Sequence, residues 1–101
     1  MLTITAIIRA KPGQHEAMKN ALLTVAANVK AHEPATISFF IAQDASDPCV
    51  FTTYERFSDQ AAMDRHNQSD TVARFFGIAK PMLDGDVTLV TAHEVFAKKA
   101  D

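Results

Sequence analysis

The sequence predicts an α+β fold of the ferredoxin-like kind, β-α-β-β-α-β, with an antiparallel four-stranded sheet. Three observations predict it. Alternating strand-like runs and helix-spaced apolar runs succeed one another in that order along the chain. Breakers stand at the joints, at Lys11-Pro12-Gly13, Glu33-Pro34, Asp44 to Pro48 and Asp84-Gly85. The two middle strand-like runs are separated only by such a turn, so they pair as an antiparallel hairpin.

Leu2 to Arg9 sets Leu2, Ile4, Ala6 and Ile8 on one face and Thr3, Thr5, Ile7 and Arg9 on the other, as a strand requires. Gln14 to about His32 repeats Met18, Leu22, Val25 and Val29 at three- and four-residue spacing, an amphipathic helix with Lys19, Asn20, Asn28 and Lys30 outside the stripe. Glu33-Pro34 ends it, because the residue before proline is pushed out of the α region. In the second strand, Thr36 to Gln43, Ile37, Phe39 and Ile41 face one way and Ser38, Phe40 and Ala42 the other. The third strand runs from Cys49 to Phe57, rich in aromatic and β-branched residues. A short helix from Ser58 to about Asn67 follows, with Ser58 as its expected cap and Asp59 at the positive end of the helix dipole. Ser69 offers a fresh cap to a further helix carrying Val72, Phe75, Phe76 and Ala79, which Pro81 and Asp84-Gly85 close. Val87 to Phe96 is the fourth strand, and Lys98 to Asp101 a polar tail.

With 101 residues the chain is expected to form one domain over 1–101 with one modest core. Its net charge is −2 and its basic residues are dispersed, which leaves no stripe for nucleic acid. No apolar run is long enough to span a membrane, and Met1 to Arg9 lacks the basic start of a signal peptide. Cys49 is the only cysteine, which points to a reducing, cytoplasmic setting. Two helical layers cover one face of a sheet, yet both faces carry large apolar groups: Phe39 and Phe40, Phe51 and Tyr54, Leu89 and Val90. A homodimer with sheets packed face to face is the economical solution.

The chemistry-bearing stretch is Tyr54-Glu55-Arg56-Phe57-Ser58-Asp59-Gln60-Ala61-Ala62-Met63-Asp64-Arg65-His66. It joins a strand end to a helix on which Ala62, Met63 and His66 share a face. Read from the residues alone, it is a pocket lining ending in one histidine, or a packed strand–helix corner.

This stretch, with Ser69, the pair Phe75-Phe76 and the opening Leu-Thr-Ile-Thr-Ala-Ile-Ile-Arg-Ala-Lys-Pro-Gly-Gln, resembles the antibiotic biosynthesis monooxygenase domain over essentially the whole chain. The resemblance implies a dimeric α+β barrel with a pocket between helices and sheet in each subunit. It also implies one of several activities: cofactor-free oxygenation of quinols or polyketide phenols, haem degradation, or isomerisation of a phosphorylated signal sugar. The haem degraders' asparagine, tryptophan and histidine fall on Ala6, Phe57 and Phe76 here, and Phe76 cannot ligate iron, so no haem is expected.

His66 matches the family's helix histidine and suits a general base, or a tie between helix and strand. Its expected setting among apolar walls lowers its pKa and keeps it neutral. Glu55 matches the family's strand glutamate; it either orients His66 or pairs with Arg74 or Arg56. Phe57, Met63, Phe75 and Phe76 are the candidate apolar walls. His15, His32 and His93 show no ligand spacing to one another or to Cys49, so no metal is expected. There is no glycine-rich phosphate loop. The resulting expectation is a cofactor-independent monooxygenase acting on a small electron-rich aromatic and dioxygen. The alternatives are an isomerase that would need Arg65, Arg74 or Arg9 near a phosphate, and a non-catalytic dimeric ligand-binding module.

Overall fold

A computed structural model describes residues 1–98. Its elements are β1 (Leu2–Arg9), α1 (His15–His32), β2 (Thr36–Gln43), β3 (Val50–Phe57), α2 (Gln60–Asn67), α3 (Asp70–Ala79), a 3-10 turn (Lys80–Met82) and β4 (Thr88–His93). The four-stranded sheet has the order β2-β3-β1-β4, with every neighbour antiparallel. The chain thus has the ferredoxin-like order, with its second helical region made of two helices. The turns before α1 and before β4 each hold a glycine at positive φ, Gly13 (83°) and Gly85 (85°), where other residues would be strained. Among the described residues no helix is long and apolar enough to cross a membrane.

The alternation of β1 and β3 sends one face of the sheet against the helices. Ala6, Ile8 and Phe51 pack there with Met18, Leu22, Val25 and Val29 of α1 and with Phe75 and Ala79 of α3. A second cluster, Ile4, Phe57, Ala62 and Met63, packs α2 onto the other end of the same face. Burying one side chain the size of Phe51 or Met18 stabilises the fold by about 1.5–3 kcal/mol. The opposite face carries a row across all four strands, Phe40, Tyr54, Thr5 and Val90, in register. Phe40, Tyr54 and Val90 are exposed.

Three local expectations are corrected. Asp59, not Ser58, caps α2: its carboxylate accepts from the Ala62 amide at 2.8 Å. Ser58 instead sends its backbone N–H to the Ala35 carbonyl. Ile37 does not share the buried face of Phe39; the register of β2 on β3 shifts between Thr36 and Ser38, and Ile37 is exposed. The last strand stops at His93, short of Phe96, because its one neighbour in the sheet, β1, ends at that level: His93 pairs with Leu2, and the Glu94 amide donates to the Met1 carbonyl. The Glu94 carboxylate lies on the open sheet face, where it accepts from Arg56 at 2.7 and 2.8 Å and from the Tyr54 hydroxyl at 2.9 Å. Beyond it Val95 and Phe96 are 98% and 83% exposed. The expected polar tail lies, after Lys98, outside the described residues.

Candidate active site

Two neighbouring turns of sequence deliver the polar groups. On β3 the strand alternation points Thr53 and Glu55 to the helix side, while Tyr54 and Arg56 point away. On α2 the helical period puts His66 on the same inward face as Ala62 and Met63, and all three are buried. The end of α2 is fastened to the start of α3 by Ser69. Its hydroxyl donates to the His66 carbonyl at 2.8 Å and accepts from the Val72 amide at 3.2 Å.

The imidazole of His66, only 5% exposed, lies between two carboxylates. Nε2 is 3.0 Å from Oε1 of Glu55, and Nδ1 is 2.8 Å from Oε1 of Glu33 at the end of α1. The rings of Phe57 and Phe39 pack against it at centroid distances of 5.4 and 5.8 Å. The Thr53 hydroxyl donates to the second oxygen of Glu55 at 2.8 Å. Glu33 is itself held by the Thr36 hydroxyl at 2.9 Å and more loosely by Asn28 at 3.4 Å.

This arrangement overturns the neutral, low-pKa imidazole expected from the sequence. Burial does push the pKa down. Hydrogen bonds to Glu55 and Glu33, together with their negative charges, outweigh it, and the net shift is upward. With a carboxylate at hydrogen-bond distance from each ring nitrogen, the geometry favours the protonated ring, in which both nitrogens donate. Glu55 does face the helices and bonds His66. It pairs with neither alternative partner: Arg56 is taken by Glu94 on the opposite face, and Arg74 borders a groove between α1 and α3.

A cavity of about 100 Å³ opens beside this cluster. Thr53, Glu55, His66 and Asn67 form its polar end, and Ala6, Leu22, Phe39, Val72 and Phe75 form apolar walls. Phe76 and Leu89, 45% and 58% exposed, stand at its mouth between α3 and the edge strand β4. Of the four apolar residues proposed from sequence, Phe75 and Phe76 line the cavity. Phe57 and Met63 do not; they lie in the core with Ile4 and Ala62, and Phe57 supports the imidazole from its apolar side. Sequence reasoning missed Glu33, Thr53 and Phe39. Glu33 is 33 positions from its histidine, so no local spacing links them. Its one signal is an acidic residue at a helix C-terminus, where the dipole disfavours negative charge.

Among the described residues no group of three or more histidine, cysteine, aspartate or glutamate side chains is placed to hold a metal ion. The two glutamates lie at opposite nitrogens of the ring and do not converge on a point.

The fold recurs in solved structures. The chain is similar to PA3566 from Pseudomonas aeruginosa at 27% identity and TM-score 0.85, with 94% of each chain covered. It is similar to Rv0793 from Mycobacterium tuberculosis at 16% identity and TM-score 0.88, over 97% of this chain and 98% of that one. A structure described as an antibiotic biosynthesis monooxygenase matches at 23% identity and TM-score 0.86, over 94% of this chain and 99% of that one. No curated protein matches the chain in sequence. The family model for antibiotic biosynthesis monooxygenases matches residues 1–77, from β1 through most of α3 and so across Glu33, Glu55 and His66 alike, and the chain belongs to that family.

Proposed function

We propose that the protein is a cofactor-independent monooxygenase that oxidises a small, neutral, electron-rich aromatic of the phenol or hydroquinone class with dioxygen. The observation that carries this is the acceptor-rich end of the cavity. Both nitrogens of His66 are engaged by carboxylates, so Glu55 offers its remaining lone pairs, and Thr53 donates its only proton to Glu55. Such an end favours a ligand that brings a hydroxyl donor and disfavours an anion. None of Arg9, Arg65 and Arg74 lines the cavity, which removes support for a phosphorylated sugar as substrate. Size narrows the class further. An engineered apolar cavity of about 150 Å³ takes benzene, so a cavity of about 100 Å³ with an open mouth suits one ring and not a fused tricycle.

In this reading the substrate hydroxyl lies against Glu55 with its ring between Phe75, Phe76 and Leu22. Glu55 takes the hydroxyl proton and the resulting anion passes electrons to dioxygen. Every electron comes from the substrate: hydroquinone plus dioxygen gives hydroxyquinone plus water. The imidazolium beside Glu55 offsets part of the negative charge at this end, and the apolar walls keep water away from the anion. The protein works as a homodimer whose open sheet faces, with Phe40, Tyr54 and Val90, cover one another.

The test is oxygen uptake by the purified, chelator-treated protein on hydroquinone, methylhydroquinone and anthrone. Uptake with the one-ring quinols above the buffer rate, and little with anthrone, supports the proposal. No uptake with any quinol overturns it.

A further inference from the structure

We infer that Glu33 is a positioning residue for the cavity carboxylate: by holding Nδ1 of His66 it fixes the ring as a donor to Glu55 and leaves Glu55, not His66, to meet the ligand. This rests on reading the cavity as a substrate site, although its geometry does not depend on the reaction. The position of Glu33 carries it. Glu33 sits on the far side of the imidazole from the cavity. It borders two outer hollows, one beside Ala62 and Arg65 and one beside Val29 and Phe39, and does not line the cavity. It therefore acts on a ligand only through His66.

The bond is well built. At 2.8 Å it is the shorter of the two that His66 makes, and the Glu33 oxygen that takes it also accepts from Thr36. Glu33 stands at the C-terminal end of α1, where the helix dipole opposes its charge, and the next residue is Pro34, which restricts its backbone. A carboxylate kept at such a place needs an opposite charge, and His66 supplies it.

Removing that carboxylate has a definite consequence. With one carboxylate left, the ring is more readily neutral. A neutral ring keeps a single N–H: with it on Nε2 the ring still donates to Glu55 at 3.0 Å but no longer brings a positive charge beside that carboxylate, and Nδ1 becomes an acceptor. Among the described residues the charged groups that bear on the ring are Glu33 from α1 and Glu55 from β3; β2 presents Phe39, and β3 also presents Phe57. The charge of the cavity end is thus set by Glu33 from outside it.

The experiment follows the ring nitrogens of His66 by ¹⁵N NMR across a pH series in the wild-type protein and in Glu33→Gln, beside the pH profile of hydroquinone oxidation. In wild type both nitrogens should be protonated at about pH 6–7, with a midpoint above the ordinary histidine value of about 6.5. In Glu33→Gln the midpoint should fall by about one unit or more, the usual effect of one opposite charge in contact. The pH profile should move with it. A midpoint unchanged in Glu33→Gln overturns the inference, as does a wild-type ring with one bare nitrogen at about pH 6. Should Glu33→Gln fail to fold, the wild-type spectrum decides alone. The NMR result needs no turnover, so a protein that shows the shift and consumes no oxygen keeps the role of Glu33 and loses the oxygenase reading.

Discussion

His66 is held by two carboxylates and is the residue on which the site depends. Its raised pKa also makes it a stability element. The folded chain binds the imidazolium proton more tightly than the unfolded chain does. The stabilisation is therefore complete below the unfolded value of about 6.5 and is lost as pH rises through the higher folded value. Removing the ring leaves Glu33 and Glu55 facing a gap with no positive charge between them. We expect His66→Gln to cost about 3 kcal/mol at about pH 6, the lower end for breaking a buried ion pair. Urea unfolding at a series of pH values checks this: the gap between wild type and variant should narrow as pH rises. A gap that is constant or widens with pH would contradict the protonated ring. At this scale the sequence was half legible. His66 and Glu55 stand within a dozen positions of each other on a strand–helix unit whose periodicity aims both inward, so the pair could be proposed. The charge of His66 could not. Glu33 enters from another element, and only the tertiary fold brings its carboxylate to the ring.

At the scale of elements, periodicity and breakers gave the order and nearly every boundary, since apolar alternation and helical spacing are local properties. One error arose where a side chain had two possible bonds. Ser58 and Asp59 are both good caps in adjacent positions, and only the exit angle of β3, with the Ser58 amide bonded to Ala35, gives the cap to Asp59. We expect Asp59→Ala to cost about 1 kcal/mol, the usual worth of a cap, and Ser58→Ala to change little. Thermal melts of the two variants check it; equal losses would return the cap to Ser58. The end of β4 was hidden for a different reason. Val95 and Phe96 continue an apolar run, but β1, the one strand that β4 pairs with, ends opposite His93, and strand ends set by a partner leave no mark in the local pattern. The shift in β2 left no mark in its alternation, because Ile37 reads as a core residue in either register.

The whole molecule has one covered sheet face and one open one. The covered face builds the cavity and the open face carries the row of Phe40, Tyr54 and Val90. The proposed homodimer covers that row. Light scattering should give about twice the chain mass of 11.0 kDa, and replacing Phe40 and Val90 together by lysine should shift it toward the single-chain mass. A wild-type protein at the single-chain mass would remove the dimer. The cavity, in turn, brings together an inward carboxylate, the His66 ring bonded to it and a wall of aromatic and aliphatic side chains, and the functional proposal depends on Glu55 meeting the substrate there. The most direct measurement is oxygen uptake on hydroquinone by wild type and Glu55→Gln, each first shown to be folded by its melt. Glu55→Gln should be slower by about 10²–10⁴-fold, the worth of one positioned acid–base group. A folded Glu55→Gln that oxidises hydroquinone at the wild-type rate would contradict it.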